Sequence, residues 1–454
     1  MKFSYNWLQS YFESKLLKPE KLAEILNMHS FEVEEVEKSG SDWVLDISIP
    51  ANRVDCMGHI GIARECSATL NLKLKPQQFK KSQSSKLKTK NFIKVEVQDK
   101  NDCPRYTAKV ITGVKVRSSP KWMRERLEVC GLNSINNIVD AVNYVMLEYG
   151  QPLHAFDFEK IEGSFPKKLI VRRAKEGEKI TTLDNETYNL DQDILVIADE
   201  TGPLVIAGIK GGKKAEIDKN TKTVVLESAN FASKIIRLGS RKLGLKTDAS
   251  LRFEHGLAPE MTLLAIERAV ELIVEVAGGK ASADVVDFYP QKQSLSKIRL
   301  DTDYVSSLLG LKISTKEIKQ ILERLGFTCK LVKDKFIDVS VPPFRLDVTL
   351  PEDLIEEVGR IYGYEKIPPI LPRAILLPPE RNDNIFWEDK AKDILKGIGF
   401  TEVYTHSFIS EKEKADFNFK DAIPIENPTS SEFAYLRPSL IPKILKVIQK
   451  NKDL

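Results

Sequence analysis

Residues 347–368, DVTLPEDLIEEVGRIYGYEKIP, set acidic side chains at the start of an apolar-periodic segment. Thr349 with Glu352 fits a capping box, and Pro351 stands in the first turn, where its missing N–H costs nothing. Leu354, Ile355, Val358, Ile361 and Tyr362 recur at helical spacing, so a helix is expected from near Leu350. Asp353, Glu356 and Glu357 then stand at i, i+3 and i+4, with Asp347 just upstream in an extended lead-in, and four carboxylates are placed to converge. Two readings stay open here. A hard cation such as Mg²⁺ takes oxygen ligands from one or two carboxylates and water; acids in a first turn also complement the helix dipole, each worth about 0.3–1 kcal/mol.

Working outward, the same helix closes a segment at 294–372 that reads helix, helix, strand pair, helix. TKEIKQILERLGF is its clearest helix and FIDVSVP its clearest strand, a winged-helix-like order. Upstream, residues 92–290 mix strands (FIKVEVQ, YTAKVITGVKV, LIVRRA) with helices (SPKWMRERLEVCG, NNIVDAVNYVMLEYG, MTLLAIERAVELIVEVAGG), which predicts a large α+β domain. Residues 1–72 read as a smaller α+β domain: the helix PEKLAEILNMHS, two strands joined at SGSD, and a helix NRVDCMGHIGIARECSATLN ending at Asn71. Between them, 73–91 is a Lys-, Gln- and Ser-rich tract expected to be a linker. Beyond the Pro-rich IPPILPRAILLPPE, residues 382–454 carry a helix, a strand EVYTHSFI and a terminal helix. The fold class is therefore α+β and multidomain.

Lys plus Arg number 69 against 65 Asp plus Glu, so overall charge gives no ground for a nucleic-acid coat or a membrane surface, and any such contact must be local. The five cysteines form no C-x-x-C pair and include an odd member, which suits a reducing cytoplasm. No apolar run is long enough to span a bilayer and no secretory signal pattern opens the chain, so a cytoplasmic location without membrane contact is expected.

Several motifs carry less than they suggest. VIAGIKGGKKAEID lacks the spacing of a P-loop or a G-x-G-x-x-G site and reads as a tight turn between strands. The five histidines make no H-E-x-x-H pair, and no G-x-S-x-G elbow occurs. His154, in EYGQPLHAFD, follows a helix end at Gly150 and is expected in a turn where it faces a pocket or serves structure. Asp248, Arg252 and Glu254 in TDASLRFEHG read as an internal ion-pair group.

MKFSYNW, ANRVDCMGHIGIARE, NNIVDAVNYVMLEYGQPLHAFD, KTDASLRFEHG, VPPFRLDVTLPEDLIEEVGRIYGY and ENPTSSEFAYLRPSL occur in the order of the bacterial phenylalanyl-tRNA synthetase beta subunit, which the chain resembles over nearly its whole length. The resemblance implies that Asp347, Asp353, Glu356 and Glu357 serve Mg²⁺, shared with an alpha subunit. It implies an alpha2beta2 heterotetramer in which the alpha chain uses ATP, activates phenylalanine and charges tRNA(Phe), while the beta chain supports this without catalytic residues of its own. It makes 92–290 similar to a tRNA-editing domain that hydrolyses Tyr-tRNA(Phe), with Asn143 and His154 matching its pocket. Two positions depart from that pattern: Val142 replaces a threonine and Lys213 a glutamate, so editing is expected to be slow or absent. The resemblance also makes 382–454 the start of a class II catalytic-like module, here expected to be truncated. The short SGSD turn stands where an inserted tRNA-binding domain is usual in the family, and the C-terminal anticodon-binding domain is expected to be lacking. A free-standing Tyr-tRNA(Phe) editing hydrolase and a nucleic-acid-binding module using the winged-helix-like segment are the alternatives. The mixed charge of TKEIKQILERLGF argues against the last.

Overall fold

The computed structural model describes residues 1–76, 87–333, 335–371, 374–375 and 377–452. Residues 1–369 pack as one unit and 370–454 as a second. The first opens on a three-stranded antiparallel sheet in which Asp42–Ile47 lies between Lys2–Ser4 and Val33–Ser39. Gly40, at φ +58°, makes the hairpin turn where SGSD predicts it. Pro19–His29 is the expected helix. The single helix read from Asn52 to Asn71 is instead a short turn of 3₁₀ helix, Val54–Cys56, followed by the helix His59–Leu70. Gly58 lies between the two, where a Cβ would lie 2.4 Å from the Gly150 nitrogen, so two backbones approach there and only glycine fits.

Besides a small two-stranded sheet, Lys179–Thr181 with Thr187–Asn189, residues 92–290 build two large sheets packed face to face. One runs, in order, Lys210–Gly211, Pro203–Ile206, Leu195–Ala198, Lys167–Arg173 and Ile93–Val97. The other runs Lys280–Ala281, Arg105–Thr112, Thr223–Asn230 and Leu153–Asp157, with Val286–Phe288 also on the Arg105 strand. Alternation along the second sheet sends Tyr106, Ala108, Phe156 and Val225 into the core shared with Leu169, Val171, Val196 and Leu204 of the first. Its opposite face sends Ala155, Val224 and Leu226 against the helices Asn137–Tyr149 and Met261–Ala277. Asn136 caps the first of these helices by accepting from the amides of Ile138 and Val139, and Gly150 ends it in the left-handed conformation.

The winged-helix-like segment carries one strand more than its sequence suggests. Lys297–Asp301 precedes the helices Thr302–Leu309 and Thr315–Arg324 and pairs with Phe336–Ser340, whose other neighbour is Thr328–Val332. The centre of the expected linker, 77–86, lies outside the described residues, but its flanks are tied down. Leu74 bridges to Phe12, and Thr89 takes Asp284 as partner through both its amide and its hydroxyl. In the second unit, Asp383–Gly397 and Ile441–Lys450 are the expected helices. The strand read over EVYTHSFI shrinks to Phe408–Ile409, because only Tyr435–Leu436 pairs with it among the described residues. No helix among the described residues is long and apolar enough to cross a membrane.

Candidate functional site

The acidic helix forms as Pro351–Tyr362, but its four carboxylates do not converge. Asp353, rather than Glu352, closes the N-terminal cap: its Oδ2 accepts from the amides of Thr349 at 2.7 Å and Leu350 at 2.8 Å. Glu352 instead takes the Tyr304 hydroxyl. Asp347 is held in a fork by Arg345, with two contacts of 2.8 Å. Glu357, 3% exposed, accepts from Arg345 at 2.8 Å and from Arg360 at 2.9 and 2.6 Å. Glu356 is exposed and makes no hydrogen bond or ion pair among the described residues. The expected convergence fails because Glu357 faces the core, whereas Glu356, one residue and about 100° away, faces solvent.

Arg360 continues the network to Glu65, at 2.6 and 3.0 Å, and Glu65 also accepts from Arg53 at 2.5 Å and Ser30 at 2.9 Å. Arg53 in turn bonds Asp55 at 2.9 Å. A chain of alternating buried charges thus clamps the winged-helix-like segment to the N-terminal domain. Among the described residues no group of three or more His, Cys, Asp or Glu side chains is gathered to hold a metal. The donor set explains this at Asp347 and Glu357, whose oxygens already face guanidinium groups that a cation would have to displace.

Burial pushes the Glu357 carboxyl up, but Arg360 and Arg345 reverse this and hold it at about 2. Glu65, between Arg360 and Arg53, lies lower still. Both folded-state values are depressed, so their stabilising contribution is present above the ordinary carboxylate range and is lost as pH falls through the folded values. Acid titration followed by circular dichroism should therefore show stability falling from about pH 4.5 down toward pH 2. A flat profile over that window would rule the network out as a stabilising element.

The second candidate lies between the two large sheets. His154 is on the strand Leu153–Asp157, not in a turn, and its register partner is Glu227 on Thr223–Asn230. Strand alternation puts His154, Phe156, Tyr106 and Glu227 on the face turned toward the other sheet. The His154 ring packs edge-on against Phe156, centroids 4.7 Å apart. Glu227 is 5% exposed; its Oε2 and the Tyr106 hydroxyl are buried without hydrogen-bond partners. Burial raises the Glu227 carboxyl to about 8 and lowers the His154 imidazole to about 4. At neutral pH the pair is a protonated carboxyl, able to donate, beside an uncharged imidazole. Gly211 borders it, since a Cβ there would stand 2.9 Å from His154 Cε1.

The other pocket residues named from sequence are not on this face. Val142 is buried in the core behind the sheet with Val224 and Leu226, so the hydroxyl it lacks would not face His154. Asn143, on the same helix, is half-buried and its amide has no partner among the described residues. Lys213 is exposed and its ammonium engages Asn185. Glu227 is the residue the sequence reading missed. Its only local signal is a single acid within the apolar alternation TVVLESAN. Of the expected ion-pair group, Asp248 and Arg252 pair at 3.1 Å and Arg252 also donates to the Met57 carbonyl, whereas Glu254 joins no ion pair among the described residues.

Three family models match consecutively: the B3/4 domain over 102–278, the tRNA synthetase B5 domain over 298–364, and the phenylalanyl tRNA synthetase beta chain CLM domain over 367–454. The phenylalanine–tRNA ligase beta subunit of Clostridium acetobutylicum is 39% identical over 414 residues, which are 90% of this chain and 52% of that protein. The Fusobacterium nucleatum protein of the same name is 39% identical over 412 residues, 90% and 51%. That of Syntrophus aciditrophicus is 40% identical over 423 residues, 91% and 52%. The chain spans about half the length of the curated relatives it matches.

Proposed function

Because the chain belongs to the phenylalanyl-tRNA synthetase beta-subunit family, we propose that it supports ATP-dependent attachment of phenylalanine to tRNA(Phe) by an alpha subunit, in an alpha2beta2 assembly. The observation that carries this reading is the succession of three beta-chain domain matches in one polypeptide. Activation of phenylalanine with ATP belongs to the partner, and no side chain here is assigned to it. A cytoplasmic location fits the five cysteines, all unpaired. Aminoacylation measured with the chain alone and after adding the alpha subunit is the test: charging is expected only with both. Robust charging by the lone chain would sink the proposal.

For Mg²⁺ the acids divide. Glu356, exposed and unpartnered, and the free Oδ1 of Asp353 fit an ion that keeps most of its water and takes one or two carboxylates. Asp347 and Glu357 do not, since Arg345 and Arg360 already neutralise them. Bound at Glu356, the ion would supply positive charge against carboxylates facing a partner subunit.

A second reading concerns the domain at 92–290: a pocket that hydrolyses misacylated Tyr-tRNA(Phe). What favours it is Glu227, whose protonated carboxyl and unpartnered oxygen are suited to a phenol hydroxyl, which both donates and accepts. Phenylalanine in the same place would leave that carboxyl unsatisfied, and a site built to bond a hydroxyl rejects the analogue that lacks it. A free-standing hydrolase would use the same pocket.

A further inference from the structure

Residues 233–246, SKIIRLGSRKLGLK, hold five cations in fourteen positions and no acid, in a chain whose charges otherwise nearly balance. Most of them form the helix Ser233–Leu243. Its inner side packs on the turn that joins Pro203–Ile206 to Lys210–Gly211. A Cβ on Gly208 would meet Ile236 Cδ1 at 3.0 Å, and one on Gly239 would meet Ile209 Cδ1 at 3.3 Å. Thr247 donates its hydroxyl to the Ile209 carbonyl at 2.8 Å. The same turn leads into Gly211, which borders His154. The helix therefore braces the turn that leads to Gly211, beside the His154–Glu227 pair.

Its outer side is different. Lys234, Arg237 and Arg241 stand at i, i+3 and i+7, all exposed, in a stripe about 10 Å long. Lys242 pairs with Asp191 and Asp193. Lys234, Arg237, Arg241 and Lys246 make no side-chain hydrogen bond or ion pair among the described residues. Leu238, 54% exposed, lies between them. Like charges at this spacing weaken a helix, and an anionic partner removes that penalty. Repeated, evenly spaced cations with arginine forks suit phosphodiesters along a strand, while Leu238 offers apolar contact to ribose.

We propose that this stripe docks the phosphate backbone of an RNA strand whose 3′ end reaches the His154–Glu227 pair, an inference that rests on the hydrolytic reading above. Fluorescence anisotropy with this chain and a labelled RNA, carrying the tRNA(Phe) acceptor stem and its single-stranded 3′ end, tests it. The Arg237→Ala, Arg241→Ala double variant is expected to bind about tenfold more weakly at low salt, with the log–log salt slope reduced by about 1.4. The Arg237→Lys, Arg241→Lys variant should keep most of the slope, and Lys312→Ala, Lys316→Ala, in the winged-helix-like segment, should change neither. Unchanged binding by the arginine-to-alanine variant, or equal loss in both alanine pairs, overturns the docking surface. Deacylation of Tyr-tRNA(Phe) by the same proteins separates the premise. If hydrolysis is absent while binding still depends on Arg237 and Arg241, the docking surface stands and the hydrolytic reading falls.

Discussion

Glu357→Gln is expected to destabilise the protein by about 3–5 kcal/mol, and by the same amount with Mg²⁺ or with a chelator present. The substitution keeps the size of the side chain and one acceptor, so packing is nearly conserved. What it removes is the anionic charge between Arg345 and Arg360, whose guanidinium groups lie 2.8 and 2.6 Å from the Glu357 Oε2. Both are buried, and the substitution leaves Arg345 with Asp347 and Arg360 with Glu65 as their remaining anionic partners, so the network carries one unbalanced buried positive charge. Glu356→Gln, one position away on the exposed side, should stay within about 0.5 kcal/mol.

Denaturant midpoints for wild type and both variants, each with Mg²⁺ and with chelator, distinguish the two roles an acid can play here. A Glu357→Gln loss seen only with Mg²⁺ present would make Glu357 a metal ligand and break the case for the arginine network. A further comparison probes the network. Arg345→Met added to Glu357→Gln should cost more than Glu357→Gln alone, because it also strips Asp347 of the guanidinium fork that holds it.

The helix bearing these acids was legible because its apolar residues repeat at 3.6, and that period fixes which side is buried. The fate of its acids was not. Glu357 meets Arg360 locally, but Arg360 meets Glu65 across 295 positions, and nothing in local spacing announces such a partner. The cap shows the same limit at short range, since Glu352 and Asp353 are both within reach of the first turn and only the backbone path selects Asp353. In the large domain the strands and helices were readable from their periods. Alternation, however, says which residues share a face, not which strand lies beside them. His154 and Glu227 become neighbours only through the antiparallel register of Leu153–Asp157 with Thr223–Asn230. Lys213 likewise meets a partner that local spacing does not announce, Asn185, 28 positions away.

Glu227→Leu should stabilise the fold and weaken its proposed chemistry. A carboxyl buried without a full set of partners costs about 1–3 kcal/mol, and an apolar side chain of similar size removes that cost. The pH dependence carries the sign. The folded-state value, about 8, is raised above the unfolded one, so Glu227 contributes most favourably at low pH, and that contribution is lost as pH rises from about 4.5 through 8. Wild type should lose stability over this window relative to Glu227→Leu, whose curve lacks the term. Tyr-tRNA(Phe) hydrolysis by the assembled enzyme should drop by about 100-fold in Glu227→Leu, as expected when a buried hydroxyl loses its partner. Glu227→Gln, neutral at every pH and still able to donate and accept, should retain most of the rate and should flatten its decline above pH 8. Hydrolysis that proceeds equally in wild type and Glu227→Leu would show that the buried carboxyl does not recognise the phenol. Stability curves that run parallel from pH 4.5 to 8 would show that Glu227 is not held protonated between the sheets.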